Sequence, residues 1–262
     1  MTTFLQGVFA VWRRELLVFR RESSRVVSSL VTPFMWLFLV GGGIGSAIDE
    51  AALFRGLNAV PAGLTYQQFI FPGIIGMSVL FGTVFYGLYI IQDRKFDVLK
   101  EVLVSPAPRV SIFVGKVVGG CTDAFVQAVL VLLIGLAIGF SFAGPAGVLL
   151  AMGFVVLIGV AFVSVGLTLG SFFESFEGFQ VVISFLLFPA FFLSGALYPL
   201  GPDLPGWLHA VAVVNPLTYG VDGLRGALIG ASRFPLWLDA LVMGAFGIAM
   251  LAVGSRAFAR MK

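Results

Sequence analysis

The chain has 262 residues, 59% of them hydrophobic and only 11% charged, with 28 phenylalanines and a formal net charge of +3. Soluble domains carry about 25% charged and about 45–50% apolar residues, so this composition places the chain in a membrane and leaves little of it for a soluble domain. The single cysteine, Cys121, excludes an intramolecular disulfide; the single histidine, His209, excludes paired-histidine metal motifs; and the small positive excess is too slight to imply nucleic acid.

The predicted elements begin with an amphipathic helix over 1–25. Leu5, Val8, Phe9, Trp12, Leu16 and Phe19 form an apolar stripe, while Arg13, Arg14, Arg20 and Arg21 gather on the other side. A basic amphipathic helix with Trp and Phe on its apolar face reads as lying in the lipid interface; packing against a soluble partner is the alternative. A cleaved leader fits less well, because the basic region is too long.

Six spans follow, each near the about 20 residues that a bilayer requires. They are 26–46, with Pro33 and the run Gly41–Gly42–Gly43; 68–91, rich in aromatics; 117–140; 147–170; 179–198, interrupted by Pro189; and 236–254. Between the second and third lies the polar interval 92–116, which holds Asp93, Arg94, Lys95, Asp97, Lys100, Glu101, Arg109 and Lys116. Within it Phe96, Leu99 and Leu103 recur three or four apart, predicting a short amphipathic helix that Pro106 and Pro108 terminate. A rigidly ended helix between two spans is suited to passing motion between the membrane and a soluble partner.

The interval 199–235 is too apolar for a solvated loop. It predicts two short helices, broken at Asn215–Pro216, that dip back into the outer leaflet. Asp222 and Arg225, three residues apart, read as a local surface ion pair. Thirteen lysines and arginines fall in the N-terminal helix, the 92–116 interval and the C-terminus, against Arg55, Arg225 and Arg233 on the other side. By the positive-inside rule, both termini and the 92–116 interval are cytoplasmic.

The sequence lacks the motifs of a nucleotide or metal enzyme. Gly115–Lys116 is followed by Val117, so no phosphate loop forms there, and no HExxH occurs. Ser78 has no base in reach, since His209 lies on the outer side, and reads as a small residue at a helix contact. Asp123 and Asp239 are the ionisable residues near or inside spans, too few for a proton relay. The expectation is a chain that is not an enzyme, holds no metal or cofactor of its own, and draws any transport energy from elsewhere.

Three segments carry a family likeness: YQQFIFPGIIG at Tyr66–Gly76, DRKFDVLKEVLVSPAPRVSIFVGK at Asp93–Lys116, and Phe188–Gly230 with FPAFFLSGALYPL and LPGWLHAVAVVNPLTYGVDGLRGALIG. With the N-terminal helix and the span order, the chain resembles, over nearly its whole length, the permease subunit of type-2 ATP-binding-cassette exporters. The resemblance implies an all-α integral membrane protein of the bacterial cytoplasmic (inner) membrane. Its parts would be an interfacial helix at 1–25 and a six-span domain at 26–262, with a coupling loop at 92–116 and an external re-entrant hairpin at 199–235. It implies two permease subunits, taken as identical, with two copies of a separate ATPase subunit that binds the ATP and Mg. Arg94, Phe96, Lys100, Glu101 and Arg109 would then contact the ATPase. The substrate path would follow the second and fifth spans past Phe81, Phe85, Phe185, Phe188 and Phe192, each of which also reads as an ordinary packing residue. Small residues at Gly42 and Gly195 predict where the two subunits meet. The Phe-rich spans point to an amphipathic or lipid-like substrate. Polysaccharide or lipid-linked glycan export, and a non-transporting scaffold that anchors an ATPase, stay open as alternatives.

Overall fold

The computed structural model describes residues 4–21, 23–47, 63–96, 107–201 and 204–260, with backbone alone at 23–29 and 44. Among these residues all regular structure is helical. Helix α1 is Phe4–Arg21, and α2 is Ser23–Trp36, which continues as a π-helix over Leu37–Ile44. Next come α3 (Tyr66–Phe85) and α4 (Leu88–Lys95), then α5 (Arg109–Ile138) and α6 (Pro145–Phe172). The remainder is α7 (Phe176–Phe192), α8 (Gly206–Val214), α9 (Pro216–Ile229) and α10 (Leu236–Ala259).

Local chemistry sets the ends. Thr65 and Gln68 form a capping box: the Thr65 hydroxyl accepts from the Gln68 N–H, and the Gln68 side chain accepts from the Thr65 N–H. Asn215 caps α9 by accepting from the Leu217 N–H, with Pro216 in the first helical position. Gly139 and Gly230, at φ +98° and +72°, end α5 and α9 in the left-handed conformation that glycine tolerates.

Among the described residues, four helical runs are long and apolar enough to cross a bilayer: Tyr66–Lys95, Arg109–Ile138, Pro145–Phe172 and Leu236–Ala259. Leu30–Gly43 and Phe176–Phe192 are apolar but shorter. Two boundaries differ from expectation. The third span starts at Arg109 rather than 117, because nothing after Pro108 interrupts a helix, so Arg109 and Lys116 are helical residues rather than loop residues. The fifth ends at Phe192 rather than 198, where the chain turns through Gly195 at φ +74°. Its 17 residues reach about 26 Å, short of a roughly 30 Å hydrocarbon layer.

Helix α6 sits centrally, against α3, α5, α9 and α10. Glycines let backbones meet: a methyl on Gly87 would collide with the Gly166 carbonyl, and one on Gly170 with the Gly87 carbonyl. Lipid gives helices no hydrophobic drive to associate, so such close approaches hold the bundle together. Helix α3 is buried along nearly its whole length, through Phe69, Ile70, Phe71, Ile74, Ile75 and Leu80, as expected of a helix that is apolar all round.

Helix α1 packs on α5, and from its apolar stripe Trp12 donates to the Thr122 hydroxyl at 3.1 Å. Gly7, Val11 and Glu15 lie against Ser111, Gly115 and Gly119, four-residue steps on both helices. Leu5 and Phe9 face outward, exposed.

Candidate functional site

Three constellations stand out, one beside the undescribed segment 97–106, one between helices and one in the hairpin. The first begins with Glu15, which the α1–α5 contact carries into the protein. Lys116, 1% exposed, reaches both Asp93 Oδ2 at 2.7 Å and Glu15 Oε1 at 3.2 Å. Arg14 Nη2 lies 2.9 Å from Asp93 Oδ1, and its Nη1 lies 3.3 Å from Glu15 Oε1. The Tyr86 hydroxyl donates to Glu15 Oε2 at 2.7 Å. Two cations and two carboxylates thus balance in a cluster that joins α1, α4 and α5, buried at Lys116 and Glu15 and open to the surface at Arg14. Burial alone would lower the Arg14 pKa, but the hydrogen bond and charge of Asp93, with the charge of Glu15, raise it above the ordinary value.

The cluster bears on the expected ATPase contacts. Arg94 donates to the Ser171 and Phe173 carbonyls at 3.0 and 3.2 Å, tying the end of α4 to the turn before α7. Arg109 donates to the Ala259 carbonyl at 3.1 Å. Both arginines are therefore engaged within the chain. Phe96, by contrast, is 76% exposed. Lys100 and Glu101 lie outside the described residues.

The second constellation is a cavity of about 610 Å³ between α1, α2, α3, α5 and α7. Phe81 and Phe85 from α3 and Phe188 from α7 line it, with Trp36, Phe19, Asp123 and Gln127. Phe81 meets Phe188 edge-on, with ring centroids 5.5 Å apart. Phe192 lies beside Phe188 at 6.4 Å and against Trp36 at 6.0 Å. Phe185 does not line this cavity: it is 83% exposed on α7, in a groove with Glu177, Gln180 and Ser184 that Phe188 also borders.

The third constellation corrects the surface ion pair. Asp222 and Arg225 are buried, and their charged atoms lie 3.8 Å apart. Arg225 donates to the carbonyls of Phe69, Gly195 and Ala196 and stacks 3.9 Å over the Phe69 ring. Asp222 accepts from the Arg233 and Phe234 N–H groups. Burial pushes the Asp222 carboxyl above its ordinary pKa, although Arg225 and these two N–H groups pull it down. The i,i+3 spacing was visible in the sequence; that α3 and the turn after α7 close over it was not. The same turn holds Gly195 against Leu200 of its own chain, and Gly42 lies beside Gln67.

Residues 6–229 match the family described as ABC-2 type transporter. The inner membrane transport permease YadH of Escherichia coli (strain K12) is 30% identical over 229 residues, covering 87% of this chain and 84% of YadH. The putative transport permease ycf38 of Cyanophora paradoxa is 28% identical over 223 residues, 85% of this chain and 74% of the relative. Nodulation protein J of Rhizobium meliloti (strain 1021) is 24% identical over 225 residues, 85% of this chain and 81% of the relative. The chain belongs to the ABC-2 type transporter family.

Proposed function

We propose that the chain is the permease subunit of an ABC exporter, paired with a second identical copy and with two copies of a separate ATPase that supplies ATP and Mg chemistry. It moves an amphipathic or lipid-like substrate out of the cytoplasm or inner leaflet. The observation that carries this reading is the buried cluster of Arg14, Glu15, Asp93 and Lys116. It fastens both flanks of 97–106 and α1 into one body, so a push on that segment meets a rigid mount. Buried ion clusters add little net stability; what this one supplies at such a place is stiffness.

Other features support the finer points. A bundle that only anchored an ATPase would need no cavity of about 610 Å³. On α7, Glu177, Gln180 and Ser184 sit on one outward-facing side beside Phe185, where lipid would leave polar groups poorly satisfied. A second copy or an aqueous path covering that side removes the conflict. Exposed Leu5 and Phe9 suit an α1 lying in the lipid interface. We take the two shorter apolar helices as completing six crossings, with both termini cytoplasmic and α8–α9 dipping in from outside.

The test is co-expression with a candidate ABC ATPase subunit. Stable co-purification in equal numbers, with ATP hydrolysis altered by the permease, is expected. An inserted chain that binds no ATPase overturns the permease reading. Reporter fusions at Lys262 and Arg55 should lie on opposite sides of the membrane, and a periplasmic C-terminus would overturn the topology.

A further inference from the structure

We propose that the outward side of α1 is a binding surface for the headgroups of anionic phospholipids, an inference that rests on the placement of α1 in the lipid interface and adds which lipids it takes. The depth of α1 follows from its tie to α3. Helix α3 runs for 20 residues from Tyr66 to Phe85, about 30 Å and thus the thickness of a hydrocarbon layer. Tyr86 follows directly, and its hydroxyl donates to Glu15 of α1 at 2.7 Å. The middle of α1 therefore lies at one edge of the hydrocarbon, level with the headgroups.

Helix α1 turns Gly7, Val11 and Glu15 toward α5. At about 100° per residue, Arg13 and Arg20 fall on the opposite side with Leu5 and Phe9, and Leu17 and Arg21 follow on its flank. Arg13, Arg20 and Arg21 are exposed, as are Leu5, Phe9 and Leu17. Glu15, the one acidic residue of Phe4–Arg21, is buried and faces Lys116. The outward side thus carries apolar side chains and positive charge, with no carboxylate among them.

A side built this way fits the boundary between headgroups and acyl chains. Leucine and phenylalanine enter the chains, while each guanidinium meets phosphate through forked hydrogen bonds. A zwitterionic headgroup sets its own ammonium against the arginines, whereas an anionic one brings negative charge alone. An acidic soluble protein would match the arginines but would press Leu5 and Phe9 against a polar surface.

The test places a fluorophore on Ala10→Cys, an exposed position of α1, in a Cys121→Ser background of the full chain in nanodiscs. Phosphatidylcholine with a quencher near the top of its acyl chain contacts the dye, and unlabelled lipids compete it away. Phosphatidylglycerol is expected to compete at least about fivefold better than phosphatidylcholine, the worth of one arginine beside an anionic lipid surface. Combining Arg13→Gln, Arg20→Gln and Arg21→Gln, which leaves Arg14 and its ion cluster intact, should bring the ratio close to one, and high salt should lower it in the parent. A dye on Ile248→Cys, exposed on α10, should show no such preference. Equal competition by the two lipids at α1, or a preference that the triple variant keeps, overturns the proposal and leaves α1 in the interface. A dye at Ala10→Cys that no lipid quenches overturns the interfacial placement as well, since α1 then faces water or a protein.

Discussion

Lys116→Met keeps most of the side-chain stem and removes the charge, which isolates the role of the buried cluster. In the parent, Lys116 serves two carboxylates at once, Asp93 at 2.7 Å and Glu15 at 3.2 Å. Its loss leaves Arg14 as the remaining cation of the cluster for both. Removing one partner of a buried ion pair costs about 3–5 kcal/mol. At about 2–4 °C per kcal/mol for a chain near this size, the unfolding temperature should fall by roughly 6–20 °C. Cys121 provides the assay: it is the single thiol of the chain, half-buried against Gly159, so a thiol-reactive dye reports unfolding in detergent. Adding Glu15→Gln removes the surplus negative charge, leaves Arg14 with Asp93, and lets Tyr86 donate to the new amide oxygen. The double variant should regain about half of the loss, a coupling above about 1 kcal/mol. A Met variant within about 2 °C of the parent, or strictly additive effects, would refute the cluster as the mount of the 97–106 segment.

Gly119→Leu should lift α1 from α5, because a Cβ there would lie 2.8 Å from the Glu15 Cβ and 3.0 Å from the Tyr86 hydroxyl. Trypsin cleavage within α1 should then rise about tenfold, and unchanged protection would show that α1 docks by other contacts. Arg225→Lys preserves charge but cannot reproduce a fork shared among three carbonyls; a loss of about 2–3 kcal/mol in the same thiol assay is expected, and an unchanged midpoint would show that these three hydrogen bonds do not hold α9 in place. Glu101→Gln should leave membrane insertion intact while sharply lowering substrate-stimulated ATP hydrolysis by the assembled complex, since breaking a pair desolvated at the interface costs roughly 3–5 kcal/mol, against about 0–1 kcal/mol for an exposed one. Normal export by that variant would make Glu101 a solvated surface charge.

What the sequence made legible was governed by local rules. Apolar length marked the helices, and Asn215–Pro216 marked the break between α8 and α9, because a side-chain cap followed by proline acts within a few residues. The ion cluster obeys no local rule. Its members come from positions as far apart as Glu15 and Lys116. A signal was present, however: Ser111, Gly115 and Gly119 repeat at four-residue spacing, a groove of small residues with Lys116 beside it. The phenylalanines of α7 were likewise ambiguous. Phe185 and Phe188 differ by one helical turn, and only the position of α3 decides that Phe188 meets Phe81 while Phe185 faces away.

The uneven fastening of the bundle bears on how 97–106 would reach the cavity. Small-residue and ionic ties bind α1, α3, α5 and α6 together, whereas α7 meets α3 through rings, Phe81 with Phe188 and Phe191. Ring contacts contribute about 0.5–1.5 kcal/mol each and have no fixed register. Near its C-terminus α7 is held by Asn215, which donates to the Ala190 carbonyl at 2.6 Å. Arg94, three residues before 97–106, donates to the carbonyls of Ser171 at the end of α6 and Phe173 in the turn that leads into α7. We therefore expect Arg94→Ala to disconnect α7 from the ATPase while leaving the ion cluster whole. A fluorophore on Phe185→Cys in a Cys121→Ser background, an exposed site on α7, should change emission when ATP binds to the assembled complex. The Arg94→Ala version should still bind and hydrolyse ATP but lose most of that change, and Arg94→Lys should restore part of it. An undiminished signal in the Ala variant would show that motion reaches α7 by another route, and that Arg94 does no more than close the turn between α6 and α7.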